Sequence, residues 1–106
     1  MTPEEKKQVE ERVILTLKTI YDPEIPVDIY ELGLIYDVVV QDDGNVYIKM
    51  TLTSPACPVA GTLPGEVEQK VAQTQGVTGA KVDITFEPAW DRTMMSEAAQ
   101  LELGFM

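Results

Sequence analysis

At 106 residues the chain falls within the size range of one domain and can bury roughly 60 to 70% of the surface its unfolded form exposes. With 44% hydrophobic and 25% charged residues it has the make-up of an ordinary soluble protein, and no apolar run is long enough to cross a bilayer. The formal charge of -10, from 18 acidic and 8 basic side chains with no basic cluster, argues against nucleic acid as a partner, and a lone cysteine excludes an internal disulfide.

Met1-Thr2-Pro3-Glu4-Glu5 is acidic where a secretory signal is basic and then apolar, so the expected compartment is the cytoplasm. Thr2-Pro3-Glu4-Glu5 reads as a helix start, with Thr2 as N-cap, Pro3 at the first helical position and Glu5 completing a capping box. Val9, Val13 and Leu17 recur every four residues, with Ile14 and Ile20 widening the stripe, and Asp22-Pro23 is the expected stop. Residues 22–33 hold Pro23, Pro26 and four carboxylates without a clean period and read as an ordered loop.

Residues 34–40 and 46–52 are rich in β-branched and aliphatic side chains and flank Asp42-Asp43-Gly44-Asn45, a turn signal, which predicts an antiparallel hairpin. In its second strand Val46, Ile48, Met50 and Leu52 alternate with Tyr47, Lys49 and Thr51, the pattern of a sheet buried on one face. Thr53-Ser54-Pro55-Ala56-Cys57-Pro58 breaks the strand. Leu63, Val67 and Val71 then mark a second helix, with Pro64 in its first turn and Gly76 closing it. Gly61 and Gly65 lack the lysine of a phosphate loop, so no nucleotide cofactor is expected, and these glycines read as backbone relief. A third strand spans 80–86 with Val82, Ile84 and Phe86 on one side. A short helix follows, with Met94, Ala98 and Leu101 on one side and Gly104 as its stop. The order α-β-β-α-β-α predicts an α+β two-layer sandwich: a small three-stranded sheet with helices packed mainly on one face.

The absence of histidine removes Cys-His pairs, Ser-His-Asp triads and imidazole zinc sites. What remains is Cys57, between a strand and a helix whose N-terminal N–H groups favour the thiolate that binds metals and attacks electrophiles. Free cysteine is also among the most buried residue types, and a structural thiol is an equal alternative from spacing alone. One thiolate cannot complete a tetrahedral metal site or hold a four-cysteine cluster. Completion has to come from a second Cys57 in a homodimer, from carboxylates such as Asp22, Glu24 and Asp28, from a small thiol or from a partner protein. Asp22 and Glu24 have ordinary alternatives as a turn cap and a solvated loop charge. Trp90 and Met94-Met95 suit either an exposed recognition patch or the closure of a small core, the second being the commoner use. Tyr21, Tyr30 and Tyr36 share that ambiguity.

Asp22-Pro23-Glu24-Ile25-Pro26-Val27-Asp28-Ile29-Tyr30-Glu31-Leu32-Gly33-Leu34-Ile35-Tyr36 resembles the signature of the SufT-like family of iron-sulfur assembly factors. Thr51-Leu52-Thr53-Ser54-Pro55-Ala56-Cys57-Pro58 resembles the family's strand end leading to a Cys-Pro, and Trp90 with Met94-Met95-Ser96-Glu97 and Leu103-Gly104 resembles its C-terminal ending. The resemblance spans nearly the whole chain as one domain. It extends to PaaD-like proteins and to the targeting factors of the cytosolic iron-sulfur machinery. A PaaD-like member is expected to carry a cysteine-rich C-terminal segment, and the lack of one up to Met106 favours the SufT-like branch. The resemblance implies a non-enzymatic accessory factor for iron-sulfur cluster assembly or transfer, with Cys57 as metal ligand and Asp22, Glu24 and Thr53 facing it. The implied cofactor is a transient iron-sulfur cluster or iron, and the implied partners are assembly proteins and apo clients. The rival reading is a protein-interaction adaptor in metalloprotein maturation whose cysteine is structural. A thiol enzyme, with Asp22 or Glu24 as base, ranks below both.

Overall fold

Thr2 starts the first helix as the sequence predicts: its hydroxyl accepts from Glu5 N at 3.1 Å, and the Glu5 carboxylate accepts from Thr2 N at 3.4 Å. The computed structural model describes residues 2–22, 26–52 and 63–104. Helix α1 runs Pro3–Leu17 and buries Val9, Val13 and Leu17. It stops short of Asp22-Pro23, with Lys18 as C-cap. The cause is a competing backbone pairing: Ile29 N donates to Ile20 O at 2.8 Å, Asp22 N donates to Val27 O at 3.4 Å, and Tyr21 bridges Asp28. That pairing sends Ile20 into the core and engages backbone groups that further helix would require.

Strands β1 (Ile35–Val40) and β2 (Asn45–Met50) form the predicted antiparallel hairpin. Its turn is closed by Gly44 N donating to Gln41 O at 3.0 Å and Asn45 N to the Asp43 carboxylate at 2.9 Å. Hydrogen bonds from the Asn45 backbone and side chain hold the Asp43 carboxyl below its usual range. Helix α2 (Leu63–Ala72) buries Leu63, Val67 and Val71 and provides the crossover to β3 (Gly79–Ile84), which pairs with β2 in parallel. The strand order β1-β2-β3 therefore puts β2 in the centre.

Both later strands end two residues earlier than their alternation suggests. Thr51 N donates to Leu34 O and Thr85 N to Met50 O, which finishes the ladder as the chain leaves the sheet. Thr51 is consequently fully buried rather than solvent-facing, and Phe86 is 40% exposed rather than packed. After β3 come a 3₁₀ turn, Arg92–Met94, and helix α3, Glu97–Glu102. The Ser96 hydroxyl accepts from Ala99 N at 3.1 Å and starts α3 anew, so the helical phase does not run through from Met94. Met95 and Ala99 face the core and Leu103 packs beside them, in place of Met94, Ala98 and Leu101.

The architecture is α+β: α1 and α2 send their apolar stripes onto Val46, Ile48 and Met50 in one core cluster. Asp37, Lys49 and Lys81 stand on the exposed face of the sheet. Gly65, read from sequence as backbone relief, lies inside α2 without a positive φ, and a Cβ there would meet no described atom. We expect Gly65→Ala to raise stability by about 0.5–1 kcal/mol by removing helix-interior glycine. Ile48→Ala, at a fully buried central position, should cost about 2–5 kcal/mol. Urea titrations of both variants measure these changes.

Candidate functional site

Of the four site residues expected from sequence, Asp22 is described, while Cys57, Glu24 and Thr53 lie outside the described residues. Asp22 is 4% exposed and with Thr51 makes up the buried polar residues among those described. A buried carboxylate persists only with hydrogen-bonding partners. Among the described residues no buried side-chain nitrogen or oxygen is left without one. The pairing of residues 20–22 with 27–29 fixes where Asp22 sits. Leu52 and Leu63, the described residues that flank the Cys57 segment in sequence, are both 3% exposed and belong to the core.

Residues 28–33 are not simple loop. The Asp28 carboxylate accepts from Glu31 N at 2.9 Å, Leu32 N donates to Asp28 O at 3.0 Å and Gly33 N to Tyr30 O at 3.1 Å, which makes a capped helical turn. Asp28, a candidate ligand in the sequence, thus serves as a turn cap. Lys18 lies 5.4 Å from the centroid of the Tyr30 ring and 3.8 Å from Glu31, closing the turn against α1.

The C-terminal segment is strapped across this turn. Trp90 Nε1 donates to Leu32 O at 2.7 Å, Ser96 N to Glu31 O at 2.8 Å and the Tyr36 hydroxyl to Pro88 O at 2.7 Å. Tyr36 reaches Pro88 because it is the extra residue of a β-bulge: Ile35 pairs with Met50 and Asp37 with Lys49, leaving Tyr36 unopposed. Gly33 has φ +82, and a Cβ there would fall 2.3 Å from Met94 O, so only glycine lets the two segments approach. Met95 is buried and Trp90 half-buried, so these residues close the core rather than form an exposed patch. Tyr21, by contrast, is 59% exposed. The contacts between the turn and the strap join sequence segments that were read separately. The glycine followed by a strand was their one local signal.

Between strap and sheet runs an open groove of about 630 Å³, with Tyr36, Pro88 and Met94 as apolar walls and Asp37, Glu87 and Lys49 as its charged groups. Among the described residues no three acidic or cysteine side chains are grouped to hold a metal ion. Nor is any described helix long and apolar enough to cross a membrane.

A short mixed sheet backed by two helices, with a capped turn held under a C-terminal strap, defines a small α+β domain. Residues 10–84 match the family described as iron-sulfur cluster assembly protein, and the chain belongs to that family, in its SufT-like branch. It is 54% identical to a Porphyromonas gingivalis protein named Fe-S protein maturation auxiliary factor, over 93% of this chain and 94% of that one. It is 38% identical to the Staphylococcus aureus Fe-S protein maturation auxiliary factor SufT, over 80% of this chain and 97% of that one. A crystal structure of a domain of unknown function from Bacillus anthracis superposes with a TM-score of 0.90 at 32% identity, over 99% of this chain and 100% of that one.

Gly33→Ala should destabilise the protein by more than the roughly 1 kcal/mol cost of a left-handed alanine, because the strap has to move. Trp90→Phe, which removes the donor to Leu32 O, should cost about 1–2 kcal/mol. Thermal melts compared at one protein concentration check both.

Proposed function

We propose that this protein is a cytoplasmic, non-enzymatic accessory factor that assists the assembly of iron-sulfur clusters or their transfer to client proteins, with Cys57 as a transient thiolate ligand. The observation that carries the reading is the likeness to a maturation auxiliary factor over nearly the full length of both chains. The chemistry of the donor set supports the transient form. With one cysteine and no histidine, the chain supplies too few soft ligands to close a tetrahedral site or hold a cluster by itself. Cluster or iron, as cargo, would be shared between Cys57 and a second chain, a small thiol or a client. Shared ligation is weak and exchangeable, which suits transfer rather than storage.

In this reading Asp22, Glu24 and Thr53 stand beside the thiolate. Asp22, a buried carboxylate fixed by backbone pairing, offers a hard oxygen ligand or an acceptor for a polar group of the partner. A homodimer would bring two copies of Cys57 to one site, with carboxylates or small thiols supplying the remaining ligands.

Anaerobic reconstitution with iron and sulfide should give thiolate-to-iron charge-transfer absorption with the native chain and none with Cys57→Ser. Light scattering should register a dimer only in the loaded sample. In cells, Cys57→Ser should fail to restore the activity of iron-sulfur enzymes in a strain lacking the protein. Absent absorption together with full rescue by Cys57→Ser rules out direct ligation and leaves an interaction adaptor whose cysteine is structural.

A further inference from the structure

The groove between strap and sheet is held open by hydrogen bonds that do not depend on a ligand. The Tyr36 hydroxyl donates to Pro88 O and approaches Met94 Sδ at 3.5 Å, and Trp90 fixes the strap to Leu32. Its apolar surface comes from Tyr36, Pro88 and Met94, a planar ring, a proline and a polarisable thioether. Two carboxylates, Asp37 and Glu87, stand against one ammonium, Lys49. None of the three forms an ion pair with a described residue, although Asp37 and Lys49 are cross-strand neighbours. The groove therefore carries an excess negative charge within a chain whose net charge is -10.

We infer that this groove docks an arginine-bearing segment of a partner protein, the guanidinium meeting Asp37 and Glu87 while its stem lies along Tyr36, Pro88 and Met94. A guanidinium fits better than an ammonium. It is planar and weakly hydrated, stacks on an aromatic face, and presents a fork of donors to two carboxylates. Its aliphatic stem covers apolar surface while the head stays in reach of water. The field of the whole chain attracts such a segment before contact is made and repels an acidic one. Lys49 opposes the cation and sets the sign of the test. The inference rests on the assembly role only in taking the partner to be a client or carrier; the residues it invokes, Tyr36, Asp37, Lys49, Glu87, Pro88 and Met94, do not include Cys57.

The probe is a fluorescein-labelled peptide of about ten residues carrying two arginines beside leucine, measured by fluorescence anisotropy against the full chain, with the arginines replaced by glutamate in its counterpart. The arginine peptide should bind and weaken with added salt, and the glutamate peptide should not bind. Asp37→Asn with Glu87→Gln should weaken binding about tenfold or more, whereas Glu11→Gln with Glu102→Gln, the same charge change on exposed helix positions, should leave it within about twofold. Lys49→Ala should tighten binding, a direction that loss of fold cannot produce. Equal binding of the two peptides, equal loss in both double variants, or weaker binding by Lys49→Ala overturns the inference. Failure here with Cys57-dependent cluster formation intact removes the docking groove alone. Peptide binding in a chain that shows no charge-transfer absorption and whose Cys57→Ser variant fully rescues maturation removes the ligation reading alone.

Discussion

Central strand β2 is the constraint on which the rest of this structure depends. It pairs with β1 on one side and β3 on the other, and Val46, Ile48 and Met50 point from it into the core at 2% exposure or less. Backbone groups buried this deeply must be bonded, and the two ladders bond them. The antiparallel ladder needs only a short turn. The parallel one needs a crossover, and α2 is that crossover. The segment with Cys57 is thus the stretch through which the chain passes from the end of the central strand to the start of the crossover helix.

A second constraint is the close approach of Gly33 to Met94. It brings the turn at residues 28–33 under the C-terminal strap, and the bulge at Tyr36 ties the sheet to the same strap. Residues of the family signature therefore spend much of their chemistry on structure: Asp28 caps a turn, Leu32 and Glu31 offer carbonyls, and Tyr36 anchors Pro88. Asp22 differs in being a buried acid at the edge of this assembly.

Where the sequence was legible, local physics decided the outcome. The capping box at Thr2, the hairpin turn at Asp42-Asp43-Gly44-Asn45 and the stripes Val9-Val13-Leu17 and Leu63-Val67-Val71 depend on neighbours within a few residues. Where it was not, a distant partner overrode the local pattern. Helix α1 stopped early because Ile20 found Ile29, Thr51 was buried because its N–H found Leu34, and the last helix changed phase because Ser96 began it afresh with its own N–H donating to Glu31. Of the candidate site, the sequence pointed to Asp22 as a loop acid without showing that it is buried. It could not show the tie between residues 28–36 and 88–96, since no periodicity links segments so far apart.

The sequence by itself determined the class of the fold, the family and the ceiling on metal chemistry, because element order, motif order and the count of soft ligands are all properties of the chain read along its length. Only the tertiary structure decided that β3 runs parallel to β2, that Trp90 and Met95 close the core, and that Asp37, Glu87 and Lys49 share a groove with Tyr36 and Met94. These depend on which surfaces meet once the core is buried, and burial is a property of the folded whole.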